Sequence, residues 1–172
     1  MLDPILLANP LTLRTIHAMF NVVLVEPQIP QNTGNIARLC AATEMQLIIV
    51  GQPRFKLSDR YLKRAGLDYW EYVNIQHIPD VEAYLAGLDM AHTYLLTTKV
   101  KRPYTEIRPQ PGDSFLFGKE TAGLPEWLLR VNPQACFTIP MKNPHARSLN
   151  LATSVGIVMY AMLARFNFGL ER

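Results

Sequence analysis

The 172 residues carry 17 Lys+Arg against 14 Asp+Glu, a net charge of +3, with 49% hydrophobic and 18% charged residues. That balance excludes an intrinsically disordered chain, and a domain of this length buries roughly 70% of its unfolded surface without a disulfide or metal staple. The mild excess of positive charge permits an anionic partner without requiring one. Two cysteines occur, Cys40 and Cys136, both in apolar company, and they read as reduced core thiols of a cytoplasmic protein. His17, His77, His92 and His145 are scattered with no ligand spacing, so no metal site is expected.

Residues 1–18 are apolar but interrupted by Asp3, Pro4 and Pro10, and they lack the basic start of a secretory signal. They read as an extension outside a single domain spanning 19–172. Asn21–Val25 is a β-branched apolar run and the first strand. Asn32 or Thr33 caps a helix running to about residue 43, with Ile36, Leu39, Cys40 and Thr43 on one face. A strand follows at 47–50, then a short helix at 59–64 behind Ser58, a strand at 72–75, a helix at 81–88 and a strand at 93–98. Ser114–Phe117 and 137–139 are further strands, separated by a short helix over Glu126–Val131. The chain closes on a helix over about 149–168 that is apolar nearly all round, from Leu151 and Val155 to Leu163 and Phe166. A one-sided surface helix would show a polar stripe, so this one is expected to put one face on the sheet and the other on a second subunit. Asn150, Thr153, Ser154 and Gly156 interrupt it too often for a membrane span. The alternation predicts an α/β fold: a mainly parallel sheet of about six strands with helices on both faces.

Two common nucleotide fingerprints are missing. The Gly-Lys of Gly118-Lys119 lacks both the preceding glycine and the following Ser or Thr of a phosphate-binding loop, since those positions are Asp113 and Glu120. The first strand is followed by Glu26-Pro27-Gln28-Ile29-Pro30 and no glycine until Gly34, which rules out a dinucleotide fingerprint there. Three other stretches gather Gly, Pro, Asn, Ser and Arg where strands meet helices. They are Pro30 to Arg38, Leu116 to Pro125 (sequence LFGKETAGLP), and Ile139-Pro140-Met141 running on to Arg147-Ser148-Leu149-Asn150. Glycines at Gly118 and Gly123 let a backbone approach a ligand closely, and Pro125 suits the first turn of a helix.

In this order and at these separations the three stretches resemble the SPOUT superfamily of RNA methyltransferases, in its SpoU branch. Asn32 and Arg38 match the first motif; Gly118, Glu120, Gly123 and Leu124 the second; Ile139, Pro140, Ser148, Leu149 and Asn150 the third. The match runs from about residue 20 to the C-terminus and includes Arg64 to Tyr69 and Leu96-Thr97-Thr98-Lys99. This compact form is similar to the TrmL (YibK) subfamily, which 2′-O-methylates the wobble cytidine or uridine (nucleotide 34) of leucine tRNAs.

The resemblance implies a C-terminal trefoil knot, S-adenosylmethionine (SAM) held by the knot loops and released as S-adenosylhomocysteine, and a homodimer built through the last helix. It assigns cofactor contacts to Leu96, Gly118, Ile139, Met141, Ser148 and Leu149. It places Arg38, Asn32, Glu120 and Asn150 at the catalytic centre. A guanidinium stays protonated at ordinary pH, so Arg38 is expected to orient and polarise the acceptor while the general base is open. Asn32 is expected to cap its helix and orient Arg38, Glu120 to order its loop by accepting backbone or Asn150 hydrogen bonds, and Ser148 and Asn150 to cap the last helix. Lys56, Arg60, Lys63, Arg64, Lys99, Lys101, Arg102, Lys142, His145 and Arg147 are the candidate tRNA contacts, with Tyr69, Trp70 and Tyr104 as candidate stacking rings. Competing readings are a non-catalytic RNA-binding module that keeps the fold and a SPOUT enzyme with a different tRNA or rRNA target.

Overall fold

The computed structural model describes residues 18–55 and 72–169. Six strands form one sheet: β1 (Asn21–Val25), β2 (Gln46–Val50), β3 (Ile75–Ile78), β4 (Thr93–Leu96), β5 (Ser114–Phe117) and β6 (Cys136–Phe137). Their order is β3-β2-β1-β5-β4-β6, and every pairing is parallel. The helices are α1 (Pro30–Thr43), α2 (Val81–Ala86), α3 (Glu126–Val131) and α4 (Leu151–Ala164).

Strand side chains alternate between two cores, as the period of two requires. Val22, Leu24, Leu47, Ile49, Phe115 and Phe117 face one side with Ile36 and Cys40 of α1 and Val155, Val158 and Met162 of α4. Val23, Val25, Ile48, Val50 and Leu116 face the other with Leu85 of α2 and Leu128 and Leu129 of α3. A sheet covered on both faces is the expected home of nearly continuous apolar strands. Phe20 packs edge-on against Phe115 and Phe166 at 5.4 and 5.7 Å between ring centres, which fixes the end of α4 over the sheet. Cys40 and Cys136 are both buried thiols. Burial pushes the Cys40 thiol up to about 12 and raises that of Cys136 as well.

Several boundaries differ from expectation. Helix α1 begins at Pro30, not at Asn32 or Thr33, because the fixed φ of proline suits the first helical position. Neither Asn32 nor Thr33 is therefore the cap; the residue in that place is Ile29, with no capping side chain. Strand β3 lies three residues later than the expected 72–75, pairing Ile75 with Leu47 and Ile78 with Val50. It is an edge strand with a polar middle, Gln76-His77, and so carries a weak apolar signal. Strand β4 ends at Leu96 instead of residue 98, and β6 is Cys136–Phe137 instead of 137–139. Helix α4 is shorter than 149–168. Asn150 is extended and its side chain accepts from Thr153 N at 3.2 Å, which starts the helix at Leu151. Left-handed Asn167 and Phe168 then follow its end. The helix expected at 59–64 and the segment 1–17 lie outside the described residues. Among the described residues no helix is long and apolar enough to cross a membrane.

Candidate active site

The chain reverses its direction of progress across the sheet between β1 and β5, with β2 and β3 on one side and β4 and β6 on the other. In open parallel sheets, ligands bind outside the carboxyl ends of the strands at such a switch. A cleft of about 580 Å³ opens there. It is lined by segments that leave β1 (Ile29, Asn32), β4 (Leu96 to Lys99), β5 (Phe117 to Gly123) and β6 (Ile139, Met141), and by Arg147 to Leu151 before and at the start of α4. Its size falls within the range that encloses most of a nucleoside-sized ligand.

The loop after β5 shapes one wall. A methyl group at Gly118 would overlap the backbone of Gly123 and Leu124, so only glycine fits. Gly123 has φ +71°, a left-handed conformation, and its N–H donates to Lys119 O at 2.8 Å to close the turn. The loop is fastened to the segment after β1 by three successive residues. Lys119 Nζ donates to Glu26 Oε2 at 2.8 Å. The Glu120 carboxylate accepts from Gln28 N at 2.8 Å, Ile29 N at 3.1 Å and Asn32 Nδ2 at 3.0 Å. Thr121 Oγ1 donates to Gln28 Oε1 at 2.7 Å.

Asn32 extends the network. Its Oδ1 accepts from Asn150 Nδ2 at 2.8 Å, and Asn150 in turn holds the first turn of α4. One carboxylate and two amides thus tie together the three segments singled out in the sequence. The side chain of Asn32 is buried in this network and does not cap its helix. Of the two kinds of partner expected for Glu120, the backbone donors are present at Gln28 and Ile29, while the link to Asn150 is relayed through Asn32. Ser148 does not cap α4; that place belongs to Asn150.

Leu96, Gly118, Ile139, Met141, Ser148 and Leu149 all line the cleft, as do Asn32, Glu120 and Asn150. Arg38 does not; it is exposed on α1, six residues and about 9 Å of helix beyond Asn32. Lys99, Lys119 and Arg147 bring positive charge to the cleft walls, with Lys99 paired to Glu126 of α3. Lys101, Lys142 and His145 are exposed. Arg102 is a brace: its guanidinium lies 4.4 Å over the Phe137 ring and donates to Glu106 Oε2 at 3.1 Å and Gln134 O at 2.9 Å. Tyr104 packs against the core. Lys56, Arg60, Lys63, Arg64, Tyr69 and Trp70 lie outside the described residues. Sequence reasoning missed Glu26, Gln28 and Thr121, whose signal is only visible once the β1 and β5 ends are known to be neighbours. Among the described residues no three His, Cys, Asp or Glu gather as metal ligands.

The SpoU rRNA Methylase family profile matches residues 19–160. A protein of Methylovorus glucosotrophus named tRNA (cytidine(34)-2′-O)-methyltransferase is 44% identical over 151 residues, covering 87% of this chain and 97% of its own length. A solved structure reported as structural insights into the 2-OH methylation of C/U34 on tRNA superposes with a TM-score of 0.79 at 38% identity, covering 88% of this chain and 99% of that one. An AdoMet-bound rRNA methyltransferase of Sinorhizobium meliloti superposes with a TM-score of 0.72 at 25% identity, covering 85% of this chain and 56% of that one. With a match over most of its length, the chain belongs to the SpoU rRNA Methylase family.

Proposed function

We propose that this protein transfers a methyl group from SAM to the ribose 2′-oxygen of nucleotide 34 of a tRNA, with leucine tRNAs as the first substrates to test. The observation that carries the reading is the Glu120–Asn32–Asn150 network. It holds three loops in one rigid wall at the carboxyl edge of the sheet. The relative from Methylovorus glucosotrophus and the structure concerned with C/U34 methylation support this substrate.

The cleft fits a nucleoside donor. Leu96, Phe117, Ile139 and Leu149 offer apolar surface for an adenosine, and the slim turn at Gly118 exposes main chain for its polar edge. Met141, Ser148 and Leu149 would hold the remainder. When bound, SAM supplies an electrophilic methyl group on a sulfonium. The task of the chain is then alignment, which is worth on the order of 7–11 kcal/mol in well-oriented systems. Glu120 fixes the loop after β5 against the N-terminus of α1, and Asn32 passes that constraint to α4, so donor wall and acceptor side move as one piece. Arg38 lies farther along α1 and would orient the acceptor by a charged fork to a phosphate or ribose oxygen.

The proposal includes a homodimer through α4, in which a second subunit completes the acceptor side around Arg38. Exposed Tyr160 and Phe168 on and after that helix, 5.8 Å apart between ring centres, support it. It also includes the trefoil knot and the domain limits 19–172, with residues 1–18 dispensable. The test is incubation of purified protein with SAM and leucine tRNA, then mass spectrometry of the nucleosides. A 2′-O-methyl group at nucleotide 34 is expected. Tight SAM binding with no such product on any tRNA would favour the rival reading of an RNA-binding module.

A further inference from the structure

Helix α3 turns Leu128 and Leu129 into the core and leaves Trp127 and Val131 outside, 42% and 62% exposed. These two large apolar residues stand one helical turn apart, with exposed Arg130 on the same side. An indole is costly to leave in water, and among the described residues this ring has neither an aromatic nor a cation partner. Its place is not arbitrary. Helix α3 starts directly behind the loop that forms the cleft wall, and its first residue, Glu126, is ion-paired to Lys99, itself a cleft residue. Trp127 does not line the cleft itself; it is the residue after Glu126, four positions beyond the cleft residue Gly123, with the Arg130 guanidinium on the same side of the helix.

An exposed flat ring with an exposed guanidinium on the same helix face is the chemistry of single-stranded nucleic acid binding, where bases stack on aromatics and phosphates meet cations. We propose that Trp127 is a stacking platform for an unpaired RNA base flanking the methylated nucleotide, with Arg130 meeting the adjoining phosphate. This rests on the reaction proposed above but names a contact outside the donor cleft. A methyltransferase acting on an RNA loop must splay neighbouring bases to expose one ribose, and a platform on the helix that follows the cleft wall gives one of them a place to go.

The test compares the full-length protein with Trp127→Ala and Trp127→Phe. Losing a base–aromatic stack should raise KM for tRNA about five-fold or more in Trp127→Ala, while Trp127→Phe stays close to the parent. SAM affinity by calorimetry should be the same in all three. Fluorescence anisotropy with a labelled anticodon stem-loop reads the same difference in binding without requiring turnover. If the parent methylates no tRNA, the proposed reaction fails, and anisotropy still decides the platform. Equal RNA affinity and equal KM in Trp127→Ala and parent would overturn the inference. So would a change confined to self-association in the ultracentrifuge, which would make the surface a protein contact.

Discussion

Replacing Glu120 with Gln tests whether one carboxylate holds the cleft together. The side chain keeps its shape, but one oxygen becomes an amide that donates. Glu120 Oε1 serves two donors, Ile29 N and Asn32 Nδ2, while Oε2 serves Gln28 N. The least costly orientation keeps the remaining oxygen toward the first two and sets the new NH2 against the Gln28 N–H. One hydrogen bond to a charged group, worth about 1.5–3 kcal/mol, is lost, and the other two fall to the neutral range of about 0.5–1.5 kcal/mol each. The site is half-buried, so solvent replaces part of this, leaving about 2 kcal/mol. For a protein of this size that is roughly 4–8 °C in Tm. Because the loss falls on the seam between the β1 and β5 loops, turnover should drop about ten-fold or more while far-UV circular dichroism is unchanged. A Glu120→Gln protein with parental Tm and parental turnover would refute the assignment of this carboxylate as the clasp.

Gly118→Ala forces the backbone of Gly123 and Leu124 aside and should abolish SAM binding in calorimetry, with a stability loss of about 1–3 kcal/mol in urea titrations. Arg38→Ala should leave far-UV circular dichroism unaltered and reduce methyl transfer by at least about a hundred-fold, measured by incorporation of labelled methyl into tRNA. His92 is held protonated to higher pH than usual chiefly by its 2.8 Å hydrogen bond to buried Asp113, which outweighs the opposing effect of burial, and further by the charges of Asp113 and Asp89. The stabilisation is full below the unfolded value of 6.5 and is lost as pH rises through the raised folded value. Urea midpoints on either side of neutrality should therefore differ less in His92→Gln than in the parent.

The alternation of strands and helices was legible because apolar runs such as Asn21–Val25 and Ser114–Phe117 are buried on both faces and carry no ambiguity. Strand β3 lies off its expected place because an edge strand, paired with β2 alone, tolerates Gln76 and His77, which read as loop. The site was legible as three separate stretches, and all of them do converge on the cleft apart from Arg38. The tie between Glu120 and the segment after β1 was not legible. Glu120 and Gln28 are 92 positions apart, and only the β1–β5 pairing makes them neighbours. The role expected of Asn32 as a cap failed for the same reason: local sequence offered it a helix terminus, while the fold offered it a carboxylate and an amide from distant loops.

Both thiols of this protein are sealed inside it, and burial holds that of Cys40 almost wholly in its unreactive protonated form at neutral pH. The folded protein should accordingly ignore alkylating and disulfide-exchanging reagents, so that their uptake becomes a clock for opening of the domain. A single cysteine engineered at the surface would carry a spectroscopic label alone, with no need to remove the native pair first.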